Sequence, residues 1–245
     1  MRVSFRFPPM WIPLVLVVWT GAIACSTSDA GDGYLYREAR HSEGTGKFYL
    51  GREIATLSVN QDTAWHRRPT REDAELPERV IRAMDLDAND VIADIGAGTG
   101  FFTFRLSPVV PRGKVLAVDI DTEALTQLAA TADSLGLGNI ETVVGTPQNP
   151  NLEQGDVDVV LIVASYTEFS HPREMMGHIV SALKPGGRLI LVEYRGEDAT
   201  LSVPSVRRIT QDQAQREMQA AGLKLRETKE ILPLQHFMVF EKPIG

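Results

Sequence analysis

The chain has 245 residues, 43% of them hydrophobic and 23% charged, a composition that excludes wholesale disorder and fits one core domain with additions. Its formal net charge of −7 argues against a nucleic-acid substrate, because a phosphate backbone is met by a basic face. The single cysteine, Cys25, has no partner within the chain for a disulfide.

Arg2 and Arg6 precede an apolar run, Trp11 to Ala24 interrupted by Pro13, that ends Gly21-Ala22-Ile23-Ala24-Cys25. Residues 1–25 therefore read as an export signal. Small residues ahead of the cysteine resemble a bacterial lipoprotein signal, in which Cys25 becomes the acylated first residue of the mature protein; Ala22 stands where leucine is more usual. An ordinary signal peptide and an uncleaved anchor are the other readings, and with the arginines on the N-terminal side each sends the domain outward. The expected location is the cell envelope or periplasm, with the membrane as partner through this anchor.

Ser26 to Gly33 is small and polar and reads as a flexible tether. Tyr34 to Asp73 is rich in charge and aromatic residues, as in Trp65-His66-Arg67-Arg68-Pro69, and lacks clear periodicity. Residues 26–75 thus form a tether and leading segment, and residues 76–245 the main domain. Leu76, Val80, Ile81 and Met84 recur at helical spacing with Pro77 in the first turn, so a helix opens that domain.

Strands follow at Val91–Ile95, Val115–Val118, Ile140–Val144, Val157–Val163 and Arg188–Glu193, mostly uninterrupted apolar runs as expected of a parallel sheet covered on both faces. Asp121 is placed to cap a helix with an apolar stripe at Leu125, Leu128, Ala129, Ala132 and Leu135, ending at Gly136. Pro172 suits the first position of another helix, stopped by Lys184-Pro185-Gly186-Gly187. Thr210-Gln211-Asp212-Gln213 has the form of a capping box, opening a helix that closes at Gly222. Leu223–Ile231 and His236–Glu241, linked by four residues, suit an antiparallel final pair.

The stretch richest in chemistry is Asp94-Ile95-Gly96-Ala97-Gly98-Thr99-Gly100, with Asp119 ending the next strand. Glycines at alternate positions let backbone approach a ligand, and an acid there is placed to accept hydrogen bonds from ribose hydroxyls. The dinucleotide fingerprint G-x-G-x-x-G is not met, since Phe101 stands where its last glycine belongs. With Asp94 two residues ahead of Gly96, the spacing instead resembles the first motif of class I S-adenosylmethionine-dependent methyltransferases. Lys114–Asp121 resembles the second strand of that superfamily, and Leu183–Ile190 its turn into the fifth.

The resemblance implies an α/β, Rossmann-like doubly wound sheet of seven strands, mostly parallel with an antiparallel final strand, in the order 3-2-1-4-5-7-6. It implies S-adenosylmethionine as cofactor: Gly96, Ala97, Gly98 and Gly100 along the methionine and ribose, Asp94 holding the ammonium directly or through water, Asp119 the ribose hydroxyls, Ile120 against adenine. Thr146 stands where the family often carries an acid for the adenine amino group. It also implies that the leading segment caps the pocket; a solvated packing arm is the other reading.

Acceptor-side candidates lie after the fourth and fifth strands. Glu168 or His171 would serve as base, Tyr166 and Tyr194 as walls, and Arg195 as a clamp for an anionic group; His171 also reads as a helix N-terminal residue beside Pro172, and Arg195 as a partner of Glu193 or Glu197. The Asn/Asp-Pro-Pro-aromatic element of amide and adenine N-methylation is absent, as is the aspartate of metal-dependent catechol enzymes. No His/Cys cluster has ligand spacing, so no metal is expected. The expected activity is metal-independent methylation of a small molecule or envelope constituent. A non-catalytic envelope lipoprotein that keeps the fold for binding or scaffolding is the alternative.

Overall fold

A computed structural model describes residues 1–4, 28–29, 31–57 and 71–244. Beyond residues 1–4, the expected export signal with Cys25 lies outside the described residues, as does the Trp65–Pro69 stretch.

The main sheet is built from β5 (Val91–Ile95), β6 (Lys114–Asp119), β7 (Ile140–Val144), β8 (Val157–Val163), β9 (Leu183–Tyr194), β10 (Lys224–Lys229) and β11 (Gln235–Glu241). Its order is β10-β11-β9-β8-β5-β6-β7. Counted from β5 this is 3-2-1-4-5-7-6, the order the resemblance implies. β5 pairs in parallel with both β6 and β8, β8 pairs in parallel with β9, and β11 runs antiparallel between β9 and β10. Strand order therefore reverses between β5 and β8, and the carboxyl ends on either side of that point leave a crevice.

Both faces of the sheet are covered, which is why its central strands read as unbroken apolar runs. On one face Leu189, Leu191 and Ile162 pack against Met175, Met176 and Ile179 of α5 (Pro172–Ala182) and Ala214 and Met218 of α6 (Gln211–Ala220). On the other, Ile92, Val159, Leu161 and Ile190 pack against Val80 and Met84 of the α2 segment (Pro77–Ala83 and its C-cap) and Leu106 of α3 (Thr103–Leu106).

The predicted punctuation is realised locally. Asp121 Oδ1 accepts from the amides of Glu123 (2.9 Å) and Ala124 (3.1 Å) at the start of α4 (Thr122–Leu135), and Gly136 ends it with φ +67°. Such a cap contributes about 1 kcal/mol. Thr210 Oγ1 accepts from the Gln213 amide (3.1 Å), but the Gln213 side chain donates to Leu50 O (3.1 Å) and Glu217 Oε1 (2.7 Å) instead of returning to the cap. Only half of the capping box forms. The Lys184–Gly187 turn also differs from expectation: β9 begins at Leu183, and the turn is absorbed as a bulge in which Gly186 (φ +76°) donates to Lys242 O at 2.9 Å.

The leading segment holds a structure that periodicity did not reveal. β1 (Ser28–Asp29), β2 (Leu35–Tyr36), β3 (Gly44–Tyr49) and β4 (Arg52–Ala55) form an antiparallel sheet in sequence order. The β3–β4 hairpin turns at Leu50 (φ +47°) and Gly51 (φ +94°), the two positive φ values that suit a tight two-residue hairpin. All four residues of β4 are buried, including Arg52 and Glu53, so the strand shows no polar-apolar alternation. Arg71–Glu75, here α1, then leads to the main domain.

Candidate active site

A cavity of about 570 Å³ opens at the carboxyl ends of β5, β6 and β8 and at Tyr194 of β9, within the size range of small-molecule sites. Its cofactor-like end is the β5 turn. The amides of Gly96 (2.8 Å) and Ala97 (3.1 Å) both donate to Val118 O, which ties the turn to β6. Asp119 Oδ2 accepts from the Gly98 amide at 2.7 Å, and its Oδ1 accepts from the Asp121 amide at 2.9 Å. The acid thus fixes the turn and still presents lone pairs to the cavity.

Gly96, Gly98 and Gly100 have φ of +78°, +54° and +95°. They differ in what surrounds them. A Cβ on Gly96 would lie 3.0 Å from Ser165 Oγ, one on Gly98 would meet nothing within 4 Å, and one on Gly100 would lie 2.6 Å from Phe104 Cε2 and 3.1 Å from Leu128 Cγ. Gly96, Ala97 and Gly98 line the cavity, whereas Gly100 does not. The role expected for Gly100 is corrected: it lets α3 and α4 close behind the turn. Gly100→Ala is therefore expected to lower stability by about 1–3 kcal/mol through strain and clash. Gly98→Ala should fold with a smaller loss but obstruct a ligand in the cavity. Thermal unfolding and ligand titration of the two variants separate these effects, and equal behaviour in both measurements would refute the distinction.

Asp94 also departs from expectation. Strand alternation turns Ile95 toward the cavity and Asp94 away from it, and Asp94 is not among the lining residues. Its carboxyl is 3% exposed and accepts a hydrogen bond from Thr103 Oγ1 at 2.7 Å. Burial raises its pKa to about 6 against the opposing effect of that hydrogen bond. Asp94 thus braces α3 from behind the cavity lining. Ile120 lines the cavity beside Asp119 as expected. Thr146 lines it too, but its hydroxyl is engaged in its own turn, accepting from the amides of Gln148 (3.3 Å) and Asn149 (3.0 Å).

Of the acceptor-side candidates, Glu168 and Tyr194 line the cavity. The others do not. Tyr166 is fully buried with its hydroxyl on Glu217 Oε2 at 2.6 Å, so it is not a wall. His171 lies at the N-terminus of α5, its Nδ1 3.0 Å from Ser170 Oγ and its ring edge-on to Tyr34; burial and the Lys47 ammonium hold its pKa below the usual imidazole range. Arg195 donates to Glu230 Oε2 (2.6 Å) and Leu232 O (3.0 Å), away from the cavity. Neither the base role of His171 nor the clamp role of Arg195 is supported by this placement.

Several cavity residues carried no recognisable signal. Arg207, from the short 3₁₀ turn Ser205–Arg207, donates from Nε to Glu43 Oε2 (2.5 Å), from Nη2 to Thr56 O (3.0 Å), and from Nη1 to Glu168 Oε1. Glu43 and Leu57 of the leading segment and Arg71 and Glu75 of α1 also line the cavity. Only Pro204, a turn former, hinted at structure near Arg207. Among the described residues, no group of three or more His, Cys, Asp or Glu side chains is disposed to hold a metal ion.

Behind this wall lies a buried polar cluster. Arg52 of β4 makes a two-pronged ion pair with Glu217 of α6 (2.7 and 2.8 Å) and donates to Thr167 O at 3.2 Å. Glu193, 1% exposed near the end of β9, accepts from the Tyr166 amide at 2.7 Å through Oε1, while its Oε2 has no partner. These contacts dock the leading sheet onto the loop that follows β8.

Residues 92–187 match the methyltransferase domain family. An uncharacterized methyltransferase-like protein of Schizosaccharomyces pombe is 32% identical over 124 residues, 51% of this chain and 46% of that protein. The ubiquinone/menaquinone biosynthesis C-methyltransferase UbiE of Pseudomonas savastanoi pv. phaseolicola is 30% identical over 105 residues, 42% of this chain and 41% of that protein. The matches thus span less than half the length of either relative. In fold, the chain resembles the crystal structure of a SAM-dependent methyltransferase from Aquifex aeolicus, with a TM-score of 0.66 at 22% identity over 71% of this chain and 93% of that one.

Proposed function

We propose that the chain is a class I S-adenosylmethionine-dependent methyltransferase, a reading supported by the match of residues 92–187 to the methyltransferase domain family, and that it methylates a small molecule or envelope constituent held in the cavity, by in-line transfer and without a metal. The observation that carries this reading is one continuous cavity joining Gly96, Gly98 and Asp119 at one end to Glu168, Tyr194 and Arg207 at the other. The residues fit the cofactor: Gly98 leaves open space where a Cβ would project, and Asp119 keeps lone pairs for ribose hydroxyls.

When bound, S-adenosylmethionine supplies a sulfonium whose methyl carbon forms a bond to the acceptor lone pair as its bond to sulfur breaks. Asp119 would orient the ribose, Ile120 would offer an apolar face to the adenine, and the β5 turn would bring backbone close to the methionine portion. Such positioning accounts for on the order of 7–11 kcal/mol of a barrier. Glu168, set in place by Arg207, faces the acceptor as a hydrogen-bond acceptor for a group that must lose a proton. The test is incubation of the protein and methyl-labelled S-adenosylmethionine with small-molecule extracts of cell envelopes. Label is expected in a low-mass product, and label recovered only in the unreacted donor contradicts the proposal.

A second reading, a non-catalytic lipoprotein that binds or scaffolds, is favoured by Thr146, whose hydroxyl is engaged within its own turn where adenine would need a partner. For location, we propose export with a lipid on Cys25. The Arg2–Cys25 pattern supports it. Cys25→Ser is expected to move the protein from the membrane to the soluble fraction, and unchanged membrane association would refute the lipid anchor.

A further inference from the structure

We propose that Glu193 is the positioning residue of the acceptor-side wall: its carboxyl fixes the Ala164–Glu168 turn by accepting the Tyr166 amide, and loss of its proton displaces that wall. The inference rests on the reading of the cavity as a methyl-transfer site.

The wall is held in an unusual shape. Ala164 has φ +48°, a left-handed conformation that an alanine adopts only under constraint. Three ties supply the constraint: the Ala164 amide donates to Val192 O (2.8 Å), Ser165 Oγ donates to Ile95 O (3.3 Å), and the Tyr166 amide donates to Glu193 Oε1 (2.7 Å). Ser165, Thr167 and Glu168, carried by the same turn, line the cavity. Glu193 is thus one bond removed from the surface that would meet the acceptor.

Its surroundings make the state of that bond depend on a proton. The Ser165 and Tyr166 amides and Glu168 face Glu193 from the turn and Arg52 from β4, while Glu217 of α6 meets Arg52 and Tyr166; His236 is the register partner of Glu193 on β11 and is engaged with Glu197 Oε2 at 2.8 Å. The Arg52 guanidinium is already gripped at two points by Glu217, so Glu193 has no counter-ion of its own. Burial raises its pKa to about 8, with the Tyr166 amide bond opposing and the Glu168 carboxylate adding to the rise. Below that pH the neutral carboxyl accepts the amide without adding charge. Above it, a buried carboxylate with Oε2 unpartnered stands beside Glu168, and it is relieved only if the turn shifts or water enters.

Glu193→Gln tests this, since glutamine retains a carbonyl for the Tyr166 amide and cannot ionise. Calorimetry with S-adenosylhomocysteine between about pH 6.5 and pH 9.5 should show affinity of the natural protein falling roughly tenfold as pH rises through the Glu193 transition. The Gln variant should lack that fall. Parallel profiles for the two proteins would overturn the proposal. If S-adenosylhomocysteine binds neither protein at any pH, the functional reading itself fails, and exchange of the Tyr166 amide decides the inference separately. Corrected for intrinsic rates, exchange should accelerate above the transition in the natural protein and not in the Gln variant; identical pH dependence would refute the positioning role.

Discussion

Asp119→Ala is expected to weaken S-adenosylhomocysteine binding by about 100-fold, roughly 3 kcal/mol, while leaving the domain folded. Two losses combine. The ribose hydroxyls lose their acceptor, and the amides of Gly98 and Asp121, which the two carboxylate oxygens now hold at 2.7 and 2.9 Å, lose theirs. Because Gly98 sits at positive φ with open space beside it, its position depends on that amide bond more than on packing. Asp119→Asn separates the contributions, since one amide oxygen can serve one of the two donors while the NH₂ group opposes the other. An intermediate loss is expected. Titration calorimetry checks the series, and an alanine variant within twofold of the natural affinity would show that Asp119 is not the ribose acid.

The second large effect concerns stability. Arg52→Met is expected to cost about 3–5 kcal/mol in urea unfolding, because it leaves the Glu217 carboxylate buried without its counter-ion. The Glu217 side chain is wholly inaccessible and that of Arg52 is 7% exposed. Tyr166 Oη and Gln213 Nε2 would still donate to Glu217, but neither neutralises it. The double variant Arg52→Met, Glu217→Met should recover most of the loss, since a buried pair exchanged for apolar side chains is often nearly neutral. A single variant costing less than about 1 kcal/mol would mean that the leading sheet is not held down by this pair.

The contrast between these two residues reflects what a sequence makes visible. Asp119 ends an apolar run and follows a glycine turn at a fixed spacing, so strand period and turn chemistry alone point to it. The same holds for the centre of the sheet: β5 and β8 coincide with the apolar runs, because strands buried on both faces have no reason to alternate. Caps such as Asp121 are legible because their hydrogen bonds span only two or three residues.

Arg52 and Arg207 were not legible, and the reason is distance along the chain. Arg52 meets Glu217, and Arg207 meets Glu43, across more than 160 residues, and nothing local marks either arginine as anything but a surface charge. The hairpin that carries Arg52 leaves no clear mark in the sequence, because Leu50 occupies a left-handed turn position where glycine or asparagine is the usual sign. Tyr166 departs from its expected place for a related cause. An aromatic after a strand end reads as a pocket wall, yet a short 3₁₀ turn carries it inward to Glu217. Asp94 shows the limit of motif spacing, since strand alternation sets it behind the turn while Ile95 takes the cavity side.

The central claim is that the cavity at the β5–β8 crevice takes a sulfonium nucleoside. Titration calorimetry of the purified protein with S-adenosylmethionine and S-adenosylhomocysteine tests it most directly. The account predicts saturable binding of both at one site, competitive between the two and weakened by Asp119→Ala. Absence of binding heat with either ligand, or binding indifferent to Asp119, would contradict it.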